Sequence, residues 1–198
     1  GQDARVVLDD EGKNLVLRKI AGECEKDLKV FKGNLKKQGY ISEVKSVLSE
    51  FAQYGVDFER LDDFMKEVPP ESYLHYKLDD IRTIYEKFEE YLSEKYITKE
   101  EMLDVLSDAV PYSDILKGSV VAMDGFTGFT PVQNRLIGEL FSVCEKVMIT
   151  VTMDGRENPY VYEHPYQIFA LGKQMVTSLM KIAGEKKTEI EEPICLFE

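Results

Sequence analysis

The stretch Ser119-Val120-Val121-Ala122-Met123-Asp124-Gly125-Phe126-Thr127-Gly128-Phe129-Thr130-Pro131-Val132-Gln133 limits the folds open to this chain more than any other. It begins as an unbroken apolar run that stops at a carboxylate, continues through a loop with Gly125 and Gly128, and ends in a helix start. Apolar residues without polar alternation suit a strand buried on both faces, as in parallel sheets covered by helices on each side. Asp124 then stands at the carboxyl end of that strand, the edge at which open α/β sheets bind ligands. Thr130 suits an N-cap, Pro131 the first helical position, and Gln133 completes a capping box. From Val132 the apolar positions Leu136, Ile137, Leu140, Phe141 and Cys144 keep helical spacing, and residues 147–152 form a second β-rich run. Strand, helix and strand in so short a span predict a βαβ unit with parallel strands and a right-handed crossover. Asp124 and Asp154 then end neighbouring strands.

The run from Val120 to Gln133, with Asn134-Arg135-Leu136-Ile137 and Val147-Met148-Ile149-Thr150-Val151-Thr152 after it, closely resembles the AddB subunit of bacterial AddAB helicase-nucleases. That family carries aspartate, glycine, phenylalanine, threonine, glycine and phenylalanine at this place. The stretch also resembles a decayed Walker B motif of the UvrD-like superfamily-one helicases, in which glutamate follows the aspartate; here Gly125 takes the glutamate's place. The resemblance extends upstream through Leu8-Asp9-Asp10-Glu11-Gly12-Lys13-Asn14 and Lys77-Leu78-Asp79-Asp80-Ile81, and so over most of the chain.

The resemblance implies an α/β fold: a small parallel sheet of a P-loop-type helicase core, present in part, with a large all-helical insertion of the kind called 1B. The core is expected from residues 1–9 and 111–198 and the insertion from residues 10–110. It implies a piece of a machine that processes double-strand DNA ends for recombinational repair, with an AddA-type helicase-nuclease subunit as heterodimer partner and DNA as substrate. Magnesium, ATP and an iron-sulfur cluster are the family's cofactors. Asp124 corresponds to the degenerate Walker B position, and Asp154 resembles the aspartate ending the next helicase motif. The glutamine expected after the latter is absent, with Arg156 and Glu157 nearby.

No phosphate-binding loop of the form Gly-x-x-x-x-Gly-Lys-Ser/Thr occurs in the chain. Cys24, Cys144 and Cys195 are too few and too scattered for a cluster that needs four ligands. The chain therefore reads as part of a larger protein, with the phosphate loop upstream and the nuclease and cluster downstream. No cofactor is expected within it, and its role is expected to be architecture and the holding of DNA rather than hydrolysis.

Charge narrows this further. A net charge of −12 argues against a main DNA track, because nucleic-acid affinity rests mostly on lysine and arginine neutralising phosphates. One basic stretch survives, Lys26, Lys29, Lys32, Lys36 and Lys37, either a phosphate contact or, as preferred here, a solvated helix end and loop. The acidic remainder fits a protein partner. No apolar run approaches a membrane span, no signal peptide is evident, and the odd number of scattered cysteines points to a reducing cytoplasm.

Taken in order, residues 5–8 read as a short strand and residues 10–31 as an amphipathic helix with Val16, Ile20, Cys24, Leu28 and Phe31 on its inner face. A second helix after Gly39 carries Val44, Val47, Leu48 and Phe51 and stops at Gly55; Asp57 caps a third with Leu61, Phe64 and Met65. The longest is expected over residues 71–96. Its tyrosines present either a base-stacking platform or, by preference, core. Thr98-Lys99-Glu100-Glu101 is another capping box, and the helical block is read without a strand. A helix is expected over residues 164–184 and an edge strand, broken by Pro193, over residues 189–197.

Each candidate site residue has a structural alternative. An aspartate at a strand end also hydrogen-bonds turn amides, which is preferred for Asp124 over metal binding. Phe126 and Phe129 either contact DNA or a neighbouring domain or, as preferred here, pin their loop to the core. His75 and His164 fit no metal-ligand spacing and read as structural. Two other functions are weighed: a magnesium-dependent phosphohydrolase using Asp124 and Asp154, and a non-catalytic helical protein-interaction module.

Overall fold

In the computed structural model, which describes residues 5–34, 37–93, 95–154 and 156–196, the chain divides into two units, Gly1–Met102 and Leu103–Glu198. The first opens with strand β1 (Val6–Leu8) and helix α1 (Asp10–Cys24), which Asp9 caps by accepting from the Gly12 amide at 2.7 Å. Helices α2 (Gln38–Tyr54), α3 (Phe58–Glu67) and α4 (Tyr73–Leu92) follow. Gly55 closes α2 in the left-handed conformation (φ 63°), Asp57 caps α3 and Ser72 caps α4.

Two expectations fail here for tertiary reasons. The first helix stops at Cys24 rather than Phe31, because the buried Asp80 carboxylate on α4 accepts from the amides of Lys29, Val30 and Phe31 at 2.8, 2.7 and 2.8 Å. Leu28 and Phe31 still reach the core, now from a loop. The long helix ends at Leu92, and Tyr96–Thr98 forms β2, parallel to β1 in the register Val6↔Tyr96, Val7↔Ile97 and Leu8↔Thr98. The helical block therefore contains a strand, built from the β-favouring Tyr96, Ile97 and Thr98. Thr98 then caps α5 (Lys99–Ala109) as expected, its hydroxyl accepting from the Glu101 amide at 3.2 Å while its own amide donates to Glu101 Oε2 at 2.7 Å.

The core of this unit joins Val16, Leu17, Ile20 and Cys24 of α1 to Ile41, Val44 and Leu48 of α2 and to Ile81, Ile84, Phe88 and Leu92 of α4. Most of the inner stripe of α4 is thus core, but its tyrosines divide: Tyr85 is half-buried against that core, whereas Tyr73 and Tyr91 are 71% and 38% exposed. Tyr85 packs edge-on to Phe51 and donates to the Val56 carbonyl at 3.3 Å. A buried lysine ties three elements: Lys13 Nζ of α1 donates to Glu100 Oε2 of α5 at 2.7 Å and to Ser49 Oγ of α2 at 3.3 Å.

Glu89, half-buried on α4 beside that pair, is pushed up to about 7 from 4.5 by burial and by the Glu101 carboxylate. The folded chain holds this proton more tightly than the unfolded one, so the contribution is complete below the unfolded value and is lost as pH rises through about 7. Glu89→Gln should raise stability at about pH 8 by roughly 1 kcal/mol, allowing for solvent screening, and leave it unchanged at about pH 4; urea titrations at both pH values check this.

In the second unit a 3-10 turn (Val110–Tyr112) leads to β3 (Val120–Met123), α6 (Pro131–Val143), β4 (Lys146–Ile149) and α7 (Ala170–Lys186). β3 and β4 are parallel, in the register Val120↔Lys146 to Met123↔Ile149. Both halves of the Thr130–Gln133 capping box are present. α6 and α7 approach closely at Gly138, where a Cβ would lie 3.2 Å from Ile182. Arg135 of α6 pairs with Asp104, at 2.6 Å, and with Asp108 of α5.

β3 is not buried on both faces. Exposure alternates along it, and Val120 and Met148, on one face with Ala122, are 57% and 43% exposed because no described residue covers them. α7 begins at Ala170 rather than His164, contains Gly184, and closes at Lys187, which takes the left-handed conformation (φ 57°). Residues 189–196 form no strand: Pro193 has no amide to donate, and Ile194 and Leu196 are 81% and 86% exposed. Phe197, which that expectation included, lies outside the described residues.

Candidate functional site

The carboxyl ends of β3 and β4 carry the loop that the sequence singles out. Because Met123 pairs with Ile149, the next register step sets Asp124 beside Thr150. The Thr150 amide donates to the Met123 carbonyl at 3.0 Å, prolonging the ladder, and the Thr150 hydroxyl donates to Asp124 Oδ1. The carboxylate's partner is thus a hydroxyl from the neighbouring strand end. Gly125 follows at φ +80°, a left-handed conformation that favours glycine over a side-chain-bearing residue.

Beyond that turn, Phe126 and Phe129 face each other with ring centroids 5.0 Å apart and planes inclined by 36°. Phe126 is 42% exposed, whereas Phe129 is half-buried at the foot of α6. Asn134, in the first turns of α6, donates from Nδ2 to the Phe129 carbonyl at 3.4 Å, and its own Oδ1 is buried without a partner. The loop is fastened at both ends and presents one aromatic face to solvent.

Asp154 does not end a strand. β4 finishes at Ile149, and Asp154 lies in the loop beyond, where its carboxylate takes both Arg156 Nε at 3.0 Å and Nη2 at 2.7 Å and also the Arg156 amide at 3.0 Å. The Arg156 guanidinium, with its backbone amide, holds the Asp154 carboxyl down at about 2. The same loop is fixed by Glu157, which pairs with the buried Lys173 of α7. Gly172 permits this, since a Cβ there would meet the Thr152 carbonyl at 3.1 Å. Between these anchors and α7, Tyr166 and Ile168 are 91% and 74% exposed.

A magnesium-nucleotide site does not fit these residues. Each candidate carboxylate has its own partner, Thr150 for Asp124 and Arg156 for Asp154, and among the described residues no three acidic, histidine or cysteine side chains gather to hold a metal ion. Of the basic stretch, Lys29 pairs with Asp79 at 2.9 Å and lies over Tyr76, and Lys37 bonds Asn34 Oδ1 at 3.0 Å; Lys36 lies outside the described residues. His75 sits edge-on to Tyr76, and His164 is tilted against Tyr166. Cys24, Cys144 and Cys195 are free thiols, and burial pushes that of Cys24 up. No described helix is long and apolar enough to cross a membrane.

Thr150, Asn134 and Lys173 are the site residues that sequence reading missed. Thr150 was legible in principle, because parallel pairing of the two β-rich runs sets it opposite Asp124. Lys173 carries no such signal beyond the preceding Gly172, since its burial arises only when α7 meets Val151, Thr152 and Glu157.

The family described as "ADDB, N-terminal" matches residues 1–197. Among curated proteins, the B-type subunit of the ATP-dependent helicase/deoxyribonuclease of Lachnoclostridium phytofermentans is 40% identical over 195 residues, covering 98% of this chain and 17% of that relative. Proteins of the same name from Thermoanaerobacter pseudethanolicus (33% identical over 187 residues, 94% of this chain and 16% of the relative) and Alkaliphilus oremlandii (29% over 194 residues, 98% and 16%) are similar along nearly the whole chain. The chain thus spans 17% or less of the length of these relatives.

Proposed function

Because the chain belongs to the AddB N-terminal family, we propose that it is the part of a helicase-deoxyribonuclease subunit that holds single-stranded DNA during the processing of double-strand ends, without hydrolysing ATP itself. The observation that carries this reading is the exposed Phe126, paired with Phe129 on a loop fastened at both ends, at the carboxyl edge of a parallel sheet. Unpaired bases stack on such aromatic faces without regard to sequence. With a net charge of −12 the contact rests on stacking rather than on a phosphate track, so its salt dependence should be shallow.

The same edge argues against hydrolysis by this chain. The place of the Walker B glutamate is held by Gly125, which has no group to position a water, and the Asp124 carboxylate is engaged by Thr150. Loss of such a group costs on the order of 10² to 10⁴ in rate. Productive translocation then falls to an AddA-type partner subunit, a division supported by the relatives' names, which make each of them one subunit of such an enzyme. In this reading residues 1–9 and 111–198 are part of a P-loop-type helicase core and residues 10–110 are a 1B-like insertion, working in a reducing cytoplasm with magnesium, ATP and the iron-sulfur cluster bound elsewhere in the complex.

Phe126→Ala is expected to weaken binding of a mixed-sequence single strand of about 20 nucleotides by roughly tenfold, the worth of one stacked base, and to leave the thermal midpoint within about 2 °C. Fluorescence anisotropy with a labelled oligonucleotide reads the first and a thermal melt the second. Equal affinity of the two proteins would remove the loop from the DNA path.

A further inference from the structure

The loop's two fastenings come from outside it. One is the Thr150 hydroxyl on Asp124, reaching from the residue after β4; the other is Asn134 Nδ2 on the Phe129 carbonyl, reaching from α6. Thr150 is exposed, and so is Asp124, so neither is needed to fill a core. Gly125, at φ +80°, gives the chain a hinge between Asp124 and Phe126, and a Cβ at Gly125 or Gly128 would meet nothing within 4 Å. Within the loop the restraint is the contact between the Phe126 and Phe129 rings, and at the Asp124 end the side-chain bond from Thr150 supplements the single ladder bond.

We infer that Thr150 is a positioning residue: its hydroxyl converts Asp124 from a potential ligand into a clamp that sets the direction of the Phe126 ring. This rests on the proposed stacking role of Phe126 but concerns a different property, the order of the loop before DNA arrives. Asn134 secures the far end, and Phe129 supplies the wall against which Phe126 leans. A clamp of this kind raises affinity by sparing the loop the entropy of ordering on binding. It also explains why a carboxylate without a neighbouring acid has a use at the strand end.

The chain contains no tryptophan, so Phe126→Trp gives a single fluorescent reporter at the loop. In the DNA-free protein carrying that reporter, Thr150→Val is expected to increase the nanosecond mobility of the indole in an anisotropy decay, whereas Thr150→Ser retains the order of the parent. Without the reporter, Thr150→Val should weaken the single-stranded oligonucleotide about fivefold, with Thr150→Ser within twofold of the parent and the thermal midpoints of all three alike. A merely structural hydroxyl would move the midpoint and not the reporter. Unchanged indole mobility in Thr150→Val overturns the inference, and so does a serine variant as mobile as the valine one. If Thr150→Val frees the indole while the parent shows no affinity for the oligonucleotide, the clamp stands and the DNA reading falls.

Discussion

Replacing Asp80 by alanine is expected to destabilise the chain by about 3 to 5 kcal/mol, one of the two largest losses expected of any single substitution here. Asp80 is 1% exposed, and its two oxygens accept from three consecutive amides, those of Lys29, Val30 and Phe31. Alanine removes a charge-assisted acceptor from each, and the buried Phe31 amide has no water to turn to. The loop that loses its anchor delivers Leu28 and Phe31, 2% and 1% exposed, to the core between α1, α2 and α4. Loss of the anchor therefore also loosens apolar packing. Asparagine keeps one carbonyl but points an NH₂ group at an amide, so Asp80→Asn should fall between the two. Urea denaturation of the three proteins checks the order; an Asp80→Ala chain within about 1 kcal/mol of the parent would show that the amides find other partners.

The second large effect lies at Lys13. Its side chain is 4% exposed and that of Glu100 14%, so Lys13→Ala leaves a nearly buried carboxylate unpaired and is expected to cost about 3 to 5 kcal/mol. Burial alone would raise the Glu100 carboxyl, but the hydrogen bond from Lys13 holds it below its ordinary value. A depressed folded value contributes stability above the unfolded one and loses it as pH falls through the lowered value. That acid-limb loss should disappear in Lys13→Ala. Replacing both partners with apolar residues, Lys13→Met with Glu100→Leu, should recover most of the loss, because the cost lies in the stranded charge rather than in the absent pair. Urea midpoints at about pH 7 and pH 4 for parent, single and double variants test both statements.

These two anchors mark the boundary of what was legible in the sequence. Local signals held: the Thr130–Pro131–Gln133 start of α6, the Thr98–Glu101 box, the Asp57 cap and the Gly55 stop all rest on atoms within a few residues of one another. The parallel pairing of β3 with β4 followed from strand, helix and strand in sequence. What failed was set from a distance. The periodicity of Leu28 and Phe31 was that of a helix, yet Asp80, about 50 residues on, claims the amides that helix would use. Tyr96 closed an aromatic helical pattern, yet β1 draws it, with Ile97 and Thr98, into a ladder. At the site, Asp124 and its aromatic loop were legible from type and order, but the hydroxyl and amide that fasten the loop come from β4's end and from α6, and neither has a motif of its own.

At the centre of the proposed function stands a strand-end loop that would grip DNA without a nucleotide cycle of its own. The most direct measurement titrates a labelled single strand with this chain in the presence and absence of magnesium and ATP, following release of phosphate in the same samples. The expected result is one affinity under both conditions, reduced about tenfold by Phe126→Ala, with no phosphate release above that of buffer. Binding that requires ATP, or hydrolysis that Asp124→Ala abolishes, would contradict it.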